Sequence, residues 1–316
     1  MDNNEADADA FRRSVHERST TTPPVFTFFT TFQVDPVALG VIVALAAGYT
    51  VGLVLARRAG VKWPLLRTLA FFGLGLGSYA WVSFGFLGAY STELRWAFTT
   101  RIALLLFAVP GLIALGQPVE LARAALSGWP LRVIDRVMNS WLVKLLGNAM
   151  FAGLLALSAF LIFLTPFALL LRQSPFAESL ITVLVPLVGL IMVLPIIGLS
   201  VVRTSLFITV EFLFAFVELV MDAIPGILLR LNDSVLDGAR AVAVGMPSWF
   251  PNPLHDQHLS GDFLWFIAEI ADIPVLIILF MRWIRVDRGE AKQMDDLTDD
   301  EMEALTREHL RGYHGQ

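Results

Sequence analysis

The 316-residue chain contains no cysteine, which excludes disulfides, thiolate metal sites and redox dithiols. Charge is scarce too: Asp, Glu, Lys and Arg make up 16% of residues, against roughly a quarter in soluble domains. Histidine is limited to five residues, and none lies in an apolar run; His16, His309 and His314 fall in polar tails. No P-loop, zincin, GxSxG or haem-attachment motif occurs, so the enzyme classes that rest on them are excluded and the chain is read as non-catalytic. No basic stripe interleaved with aromatics is present either, which excludes nucleic acid as a partner.

Apolar residues fill the space left. They account for 56% of the chain, and mean hydropathy is +0.67. Several runs of about 20 residues are long enough to cross ~30 Å of hydrocarbon. Backbone polar groups must be satisfied internally in lipid, so each run is expected to be helical. The fold class is therefore all-α, a polytopic membrane bundle of seven spans near 36–56, 65–88, 96–118, 141–165, 177–198, 203–225 and 263–284. Residues 1–35 read as a polar, disordered, retained tail, because the acidic start lacks the pattern of a signal peptide. Residues 36–285 form the seven-helix domain, and 286–316 a charged cytoplasmic tail. In that tail Thr298 and Glu301 have capping-box spacing ahead of a short amphipathic helix. With the N-terminus outside, 15 of the 23 Lys and Arg residues fall on the inner side. That bias sets the orientation as N-out and C-in and places the protein in a cell membrane, with the bilayer as its solvent.

Small residues mark where helices approach. Gly40, Ala44, Gly48 and Gly52 share one face of the first span, and Gly73 with Gly77 repeats the device in the second. The run "GLGLG" at 73–77 is read as packing: it lies inside an apolar helix, with no preceding strand and no phosphate-binding lysine. Pro110, Pro186 and Pro195 are expected to kink their spans.

The chemistry sits in the acids. Glu211, Glu218 and Asp222, spaced by seven and four, share one stripe of the sixth span. Glu269 and Asp272 share a face of the seventh. A charged acid facing lipid costs about 2.5–3.5 kcal/mol, so both stripes are expected to point inward and to line a cavity opening outward. Arg101, Arg203 and Arg230 are the cations available to neutralise them. His255 and His258 flank Asp256 in "LHDQHLSGD" at the outer mouth, with Met221 and Met246 nearby. The candidate metal ligands are thus Asp222, Glu218, Glu269, His255 and His258, a set whose oxygens suit a hard divalent ion and whose imidazoles also suit copper.

Three stretches, "RRAGVKWPLLRTLAFFGLGLGSYAWVSFGFLGAYS", "VPGLIALGQPVELARAAL" and "SWFPNPLHDQHLSGDFLWFIAEI", resemble in order the seven-span CtaG family. The resemblance runs from about residue 45 to 292. It rests on Trp63-Pro64 with Arg67, on "GQPVELA", and on Trp249, Asp256-Gln257, Gly261, Trp265 and Glu269. It implies an assembly factor for caa3-type cytochrome c oxidase in the bacterial cytoplasmic (inner) membrane, with oxidase subunits as partners and a role in placing copper. The family's "HMxxHM" pattern on the third span aligns with "FTTRIA", so Phe98 and Ile102 stand where histidines are expected. Leu184 and Asp222 occupy two further histidine positions. Beside the assembly-factor reading stand a proton or divalent-cation transport protein and a purely structural membrane scaffold.

Overall fold

The computed structural model describes residues 23–147, 149–198, 205–238, 247 and 249–295. Every regular element among them is helical. After a single helical turn at Thr27–Thr30, the first long helix, α1 (Pro36–Arg58), starts where the Asp35 carboxylate accepts the N–H of Val37 at 2.8 Å and Pro36 occupies the first turn. Both devices suit a helix start, since a proline there gives up an N–H that has no helical partner. Arg57 and Arg58 end it beside the last carbonyls, where positive charge is favoured.

Helix α2 (Leu65–Ala89) and helix α3 (Arg95–Ala114) follow. Both contain a π-helical stretch, Ala70–Leu76 and Leu104–Ala108. Pro110 lies directly beyond the second, and the wider turn ahead of it accommodates the missing N–H within one continuous span. The expected extension of this span to 118 is cut short. Gln117 adopts a left-handed conformation (φ 50°), and Pro118 starts a new helix.

The connection to the next apolar run holds three short helices, α4 (Pro118–Ala125), α5 (Trp129–Met138) and α6 (Trp141–Leu146). Helix α7 (Ala149–Leu161) continues through a tight turn and bends by 91° into α8 (Phe167–Gln173). Helices α9 (Pro175–Gly198), α10 (Ser205–Leu231) and α11 (Pro253–Asp295) complete the chain. Pro225 does not end α10, so the polar connection before α11 is shorter than the 226–262 segment anticipated. The amphipathic helix expected after Thr298 lies outside the described residues.

By length and composition, four described helices can cross a membrane: α1, α2, α3 and the segment Pro175–Leu194 of α9. The bent pair Gly153–Leu164 and Phe167–Gln173 supplies a fifth if it acts as one span.

Helix α3 is the centre of the bundle: every residue from Arg95 to Ala103 is buried. One apolar cluster joins it to α1 and α2 through Tyr49, Phe71, Tyr79, Leu105, Val109 and Ile113. A second joins it to α7, α9, α10 and α11 through Phe98, Leu106, Phe160, Met192, Leu229 and Leu264. The glycine face of α1 is used only in part: a Cβ on Gly52 would touch Leu121 at 3.2 Å, whereas Gly40 and Gly48 face open space. Two crossings outside that face are closer: α9 on α3, where a Cβ on Gly189 would lie 2.0 Å from the Leu106 carbonyl oxygen, and α10 on α11. At the second, a Cβ on Gly261 would lie 2.5 Å from the Gly226 carbonyl oxygen, and one on Gly226 2.8 Å from that of Gly261. Without side chains at these points the two backbones come into direct contact, which is how helices associate where lipid removes the hydrophobic drive.

Candidate functional site

Helix α3 carries two buried arginines six residues apart, which projects them to different sides of the helix. Arg95 faces α11 and the segment before it. Its Nη1 donates to Gln257 Oε1 at 2.7 Å, and its Nη2 donates to the carbonyl of Phe163. The same guanidinium lies 3.5 Å from Asp237, whose other oxygen is 3.7 Å from Arg172. All four of these charged or amide side chains are buried. Buried ions that lose water survive only when paired and hydrogen-bonded, and here each cation has an anion within reach.

Asp256 completes this end. Its carboxylate accepts the backbone N–H of Arg95 at 2.8 Å and that of Trp96 at 2.9 Å. It thus supplies, from 160 residues away, the negative cap that Leu94 cannot give to the start of α3. Burial pushes Asp256 up to about 6, and the two backbone N–H groups oppose that rise. Gln257 binds on several sides: its Oε1 also accepts Leu236 N–H at 2.9 Å, and its Nε2 donates to Ser234 O at 2.9 Å. One turn on, the hydroxyls of Thr99 and Ser260 meet at 2.7 Å. Above lies an aromatic cover, with Phe86 between Phe28 and Trp96 and with Trp249 against Phe250.

The second arginine, Arg101, faces α1 and α9. Its guanidinium reaches Glu178 at 3.0 Å, Thr182 at 2.9 Å and Asp35 at 3.7 Å. Tyr79 donates to the Thr182 carbonyl at 2.9 Å beside it. Arg101 therefore neutralises acids at the starts of α1 and α9. Arg230, the other proposed partner for the membrane acids, pairs with Asp262 at 3.2 Å, and Arg203 lies outside the described residues.

The opposite end of the bundle is fastened by the other two resembling stretches. Tyr49 donates to the Gly116 carbonyl at 2.8 Å and accepts from Trp63 Nε1 at 3.1 Å. Arg67 stacks over the Trp63 ring, 5.0 Å from its centre, within cation–π range.

The sequence-derived acids are placed as follows. Asp222 is buried, at 1% exposure. The Gly226–Gly261 contact and the Phe212–Phe280 ring pair show that α10 and α11 run antiparallel. That register sets position 222 level with 265, and 218 level with 269, one turn deeper. Glu269 is half-buried and accepts from Trp265 Nε1 of its own helix. The side chains of Glu211, Glu218 and Asp272 lie outside the described ones. His258 Nε2 sits 3.2 Å from the Asn232 carbonyl. His255 is half-buried, and burial, followed by the charge of His258, lowers it from its ordinary value. Asp256 turns inward to α3. Among the described residues no three His, Asp or Glu are grouped so that they could hold a metal ion. Phe98 and Ile102, at the family's histidine positions, are buried in the apolar cluster with Leu229 and Leu264.

Sequence reading missed Arg95, Arg172 and Asp237 as a set. The one signal available was the polar pair Asp256-Gln257 in an otherwise apolar neighbourhood.

No solved structure matches the chain. A Mycobacterium leprae (strain TN) protein described only as uncharacterised is 26% identical over 285 residues, 88% of this chain and 43% of that protein. Two similarly described proteins, from Mycobacterium bovis and Mycobacterium tuberculosis, are each 26% identical over 295 residues, covering 89% of this chain and 44% of theirs. The chain thus spans under half the length of these curated relatives. The model of the cytochrome c oxidase caa3 assembly factor family (Caa3_CtaG) matches residues 47–286, and the chain belongs to that family.

Proposed function

We propose that the chain is a non-catalytic factor of the bacterial cytoplasmic membrane that supports assembly of a caa3-type cytochrome c oxidase by holding oxidase subunits. Seven crossings complete the bundle in this reading: α1, α2, α3, the α7–α8 unit, α9, α10 and residues 263–284 of α11. The N-terminus lies outside and the C-terminus inside. The observation that carries the reading is the use made of the motif residues. Trp63, Asp256, Gln257 and Gly261 fasten helices to one another and Arg67 packs on the Trp63 ring, which makes a rigid body for docking.

Copper as cargo fits this chain poorly. A cuprous ion selects thiolate, thioether or imidazole ligands. The chain has no cysteine, and Phe98 and Ile102 fill the third-span positions with apolar side chains. In this reading copper reaches the oxidase while the factor holds the receiving subunit, and the factor does not ligate it. The test is affinity purification of the tagged chain from solubilised membranes. Recovery of oxidase subunits is expected; a preparation without them, from cells that contain the oxidase, contradicts the reading.

A proton or divalent-cation path is the second reading. It draws on buried Asp222, with positions 218 and 269 one turn deeper and His255 and His258 at the mouth. Metal analysis of the purified protein separates the two. Stoichiometric metal that is lost in Asp222→Ala or His258→Ala favours the path.

A further inference from the structure

The link between α3 and α7 is built for a surface of its own. Leu121 of α4 packs on Gly52 of α1, near the end that carries Arg57 and Arg58. Arg123 then joins α4 to α5, 3.1 Å from Glu120 and 3.2 Å from Asp135. That bridge occupies the one acid of α5. Arg132 and Arg136, both exposed, are in no ion pair among the described residues.

The apolar residues of α5 divide between two faces. Pro130, Leu131, Ile134 and Met138 are half-buried against the protein. Trp129, Val133 and Val137, spaced by four, form an outer stripe with exposures of 67%, 40% and 51%. Trp141 extends the stripe at 70% exposure. A stripe of tryptophan and valine flanked by two unpaired arginines is what an interfacial helix presents. The apolar side chains sit at the acyl boundary, tryptophan sits at headgroup level, and the basic side chains meet anionic lipid.

Resting on the membrane reading above, we propose that α5 lies in the headgroup layer of the leaflet at this end. In this arrangement Trp129, Val133 and Val137 are seated in lipid, and Arg132 and Arg136 are on anionic headgroups. The position supports a lipid occupant: Arg123 ties the helix to α4, and Leu121 of α4 packs on Gly52 near the end of α1 that carries Arg57 and Arg58. Charge complementarity selects acidic lipid over neutral lipid.

The absence of cysteine makes the test direct. Single spin labels are placed by Val133→Cys, Val137→Cys and Asn139→Cys, with Val43→Cys on the exposed side of α1 as the control. The full chain is reconstituted in vesicles of phosphatidylcholine with phosphatidylglycerol. Labels at 133 and 137 are expected to be reached by oxygen and shielded from a water-soluble nickel chelate, with the reverse at 139. In the Arg132→Gln, Arg136→Gln background the seated population drops about fivefold per side chain in this mixture, and not in phosphatidylcholine alone. Equal nickel access at 133, 137 and 139 overturns the proposal. Shielding of 133 and 137 from both reagents also overturns it, because a protein surface then covers the stripe. A control label at 43 open to nickel overturns the membrane reading, and this proposal with it.

Discussion

Asp256, in the first turn of α11, holds the first turn of α3 by accepting the N–H groups of Arg95 at 2.8 Å and Trp96 at 2.9 Å. Two helices far apart in sequence are thereby locked end to end, and Gln257 fixes the Arg95 guanidinium beside them. This joint has measurable consequences.

Replacing Asp256 by alanine removes the cap and leaves two buried N–H groups unsatisfied. The expected loss is about 2 kcal/mol of stability, read as a lower unfolding midpoint in detergent. Its pH dependence also has a sign. Burial raises the folded-state value to about 6, above the ordinary value of about 3.9 for the unfolded chain. Between these values the folded form binds the extra proton, so this group's contribution to stability falls as pH rises from about 4 to about 6. Asp256→Asn is expected to lack that slope; a wild type and variant with parallel pH profiles would refute the assignment.

Arg95→Met removes from Asp237 the guanidinium at 3.5 Å and keeps Arg172 at 3.7 Å. Breaking a buried pair from one side costs about 3–5 kcal/mol. The variant is expected to lose folded protein on extraction, and Arg95→Met with Asp237→Asn to recover part of it. A double variant no better than the single shows that the two side chains are not coupled.

Gly261→Ala places a methyl 2.5 Å from the Gly226 carbonyl oxygen and 2.9 Å from Arg230 N. The helices must separate, at a cost of about 1–3 kcal/mol. Gly48→Ala meets nothing within 4 Å and is expected to be neutral or slightly stabilising, as alanine favours helix by up to about 1 kcal/mol. Thermal unfolding of the two variants side by side checks the contrast.

Tyr49→Phe removes the hydroxyl that links Trp63 Nε1 to the Gly116 carbonyl. A loss of about 1 kcal/mol is expected. An unchanged midpoint would show that the three-residue link does not fasten α1 to the turn after α3.

Local features were legible in the sequence, and long-range pairings were not. The apolar runs gave α1, α2, α3 and α9 close to their observed limits, because a hydrocarbon-length run has few alternatives to a helix. The run near 141–165 misled, since hydropathy does not register the division into α6 and α7 or the 91° bend that follows. Gly40 and Gly48 looked like a packing seam and face open space, while Gly226 and Gly261 make the contact. A glycine becomes a seam only opposite another backbone, and periodicity on one helix says nothing about the other. Arg101 was set against the acids of the sixth and seventh spans and instead binds Glu178, with Asp35 close by. Its choice of partner depends on which side of α3 each neighbour packs. The motif "HDQH" drew attention through its histidines, yet its two central residues make the buried joint.

A factor that holds oxidase subunits as proposed is needed for their assembly, and the content of assembled caa3-type oxidase in membranes of cells that lack this chain measures that need. Reduced-minus-oxidised haem spectra of those membranes are predicted to show little of the oxidase, with the signal restored by the wild-type chain and restored weakly by Arg95→Met. A normal oxidase signal in the absence of the chain would contradict the account.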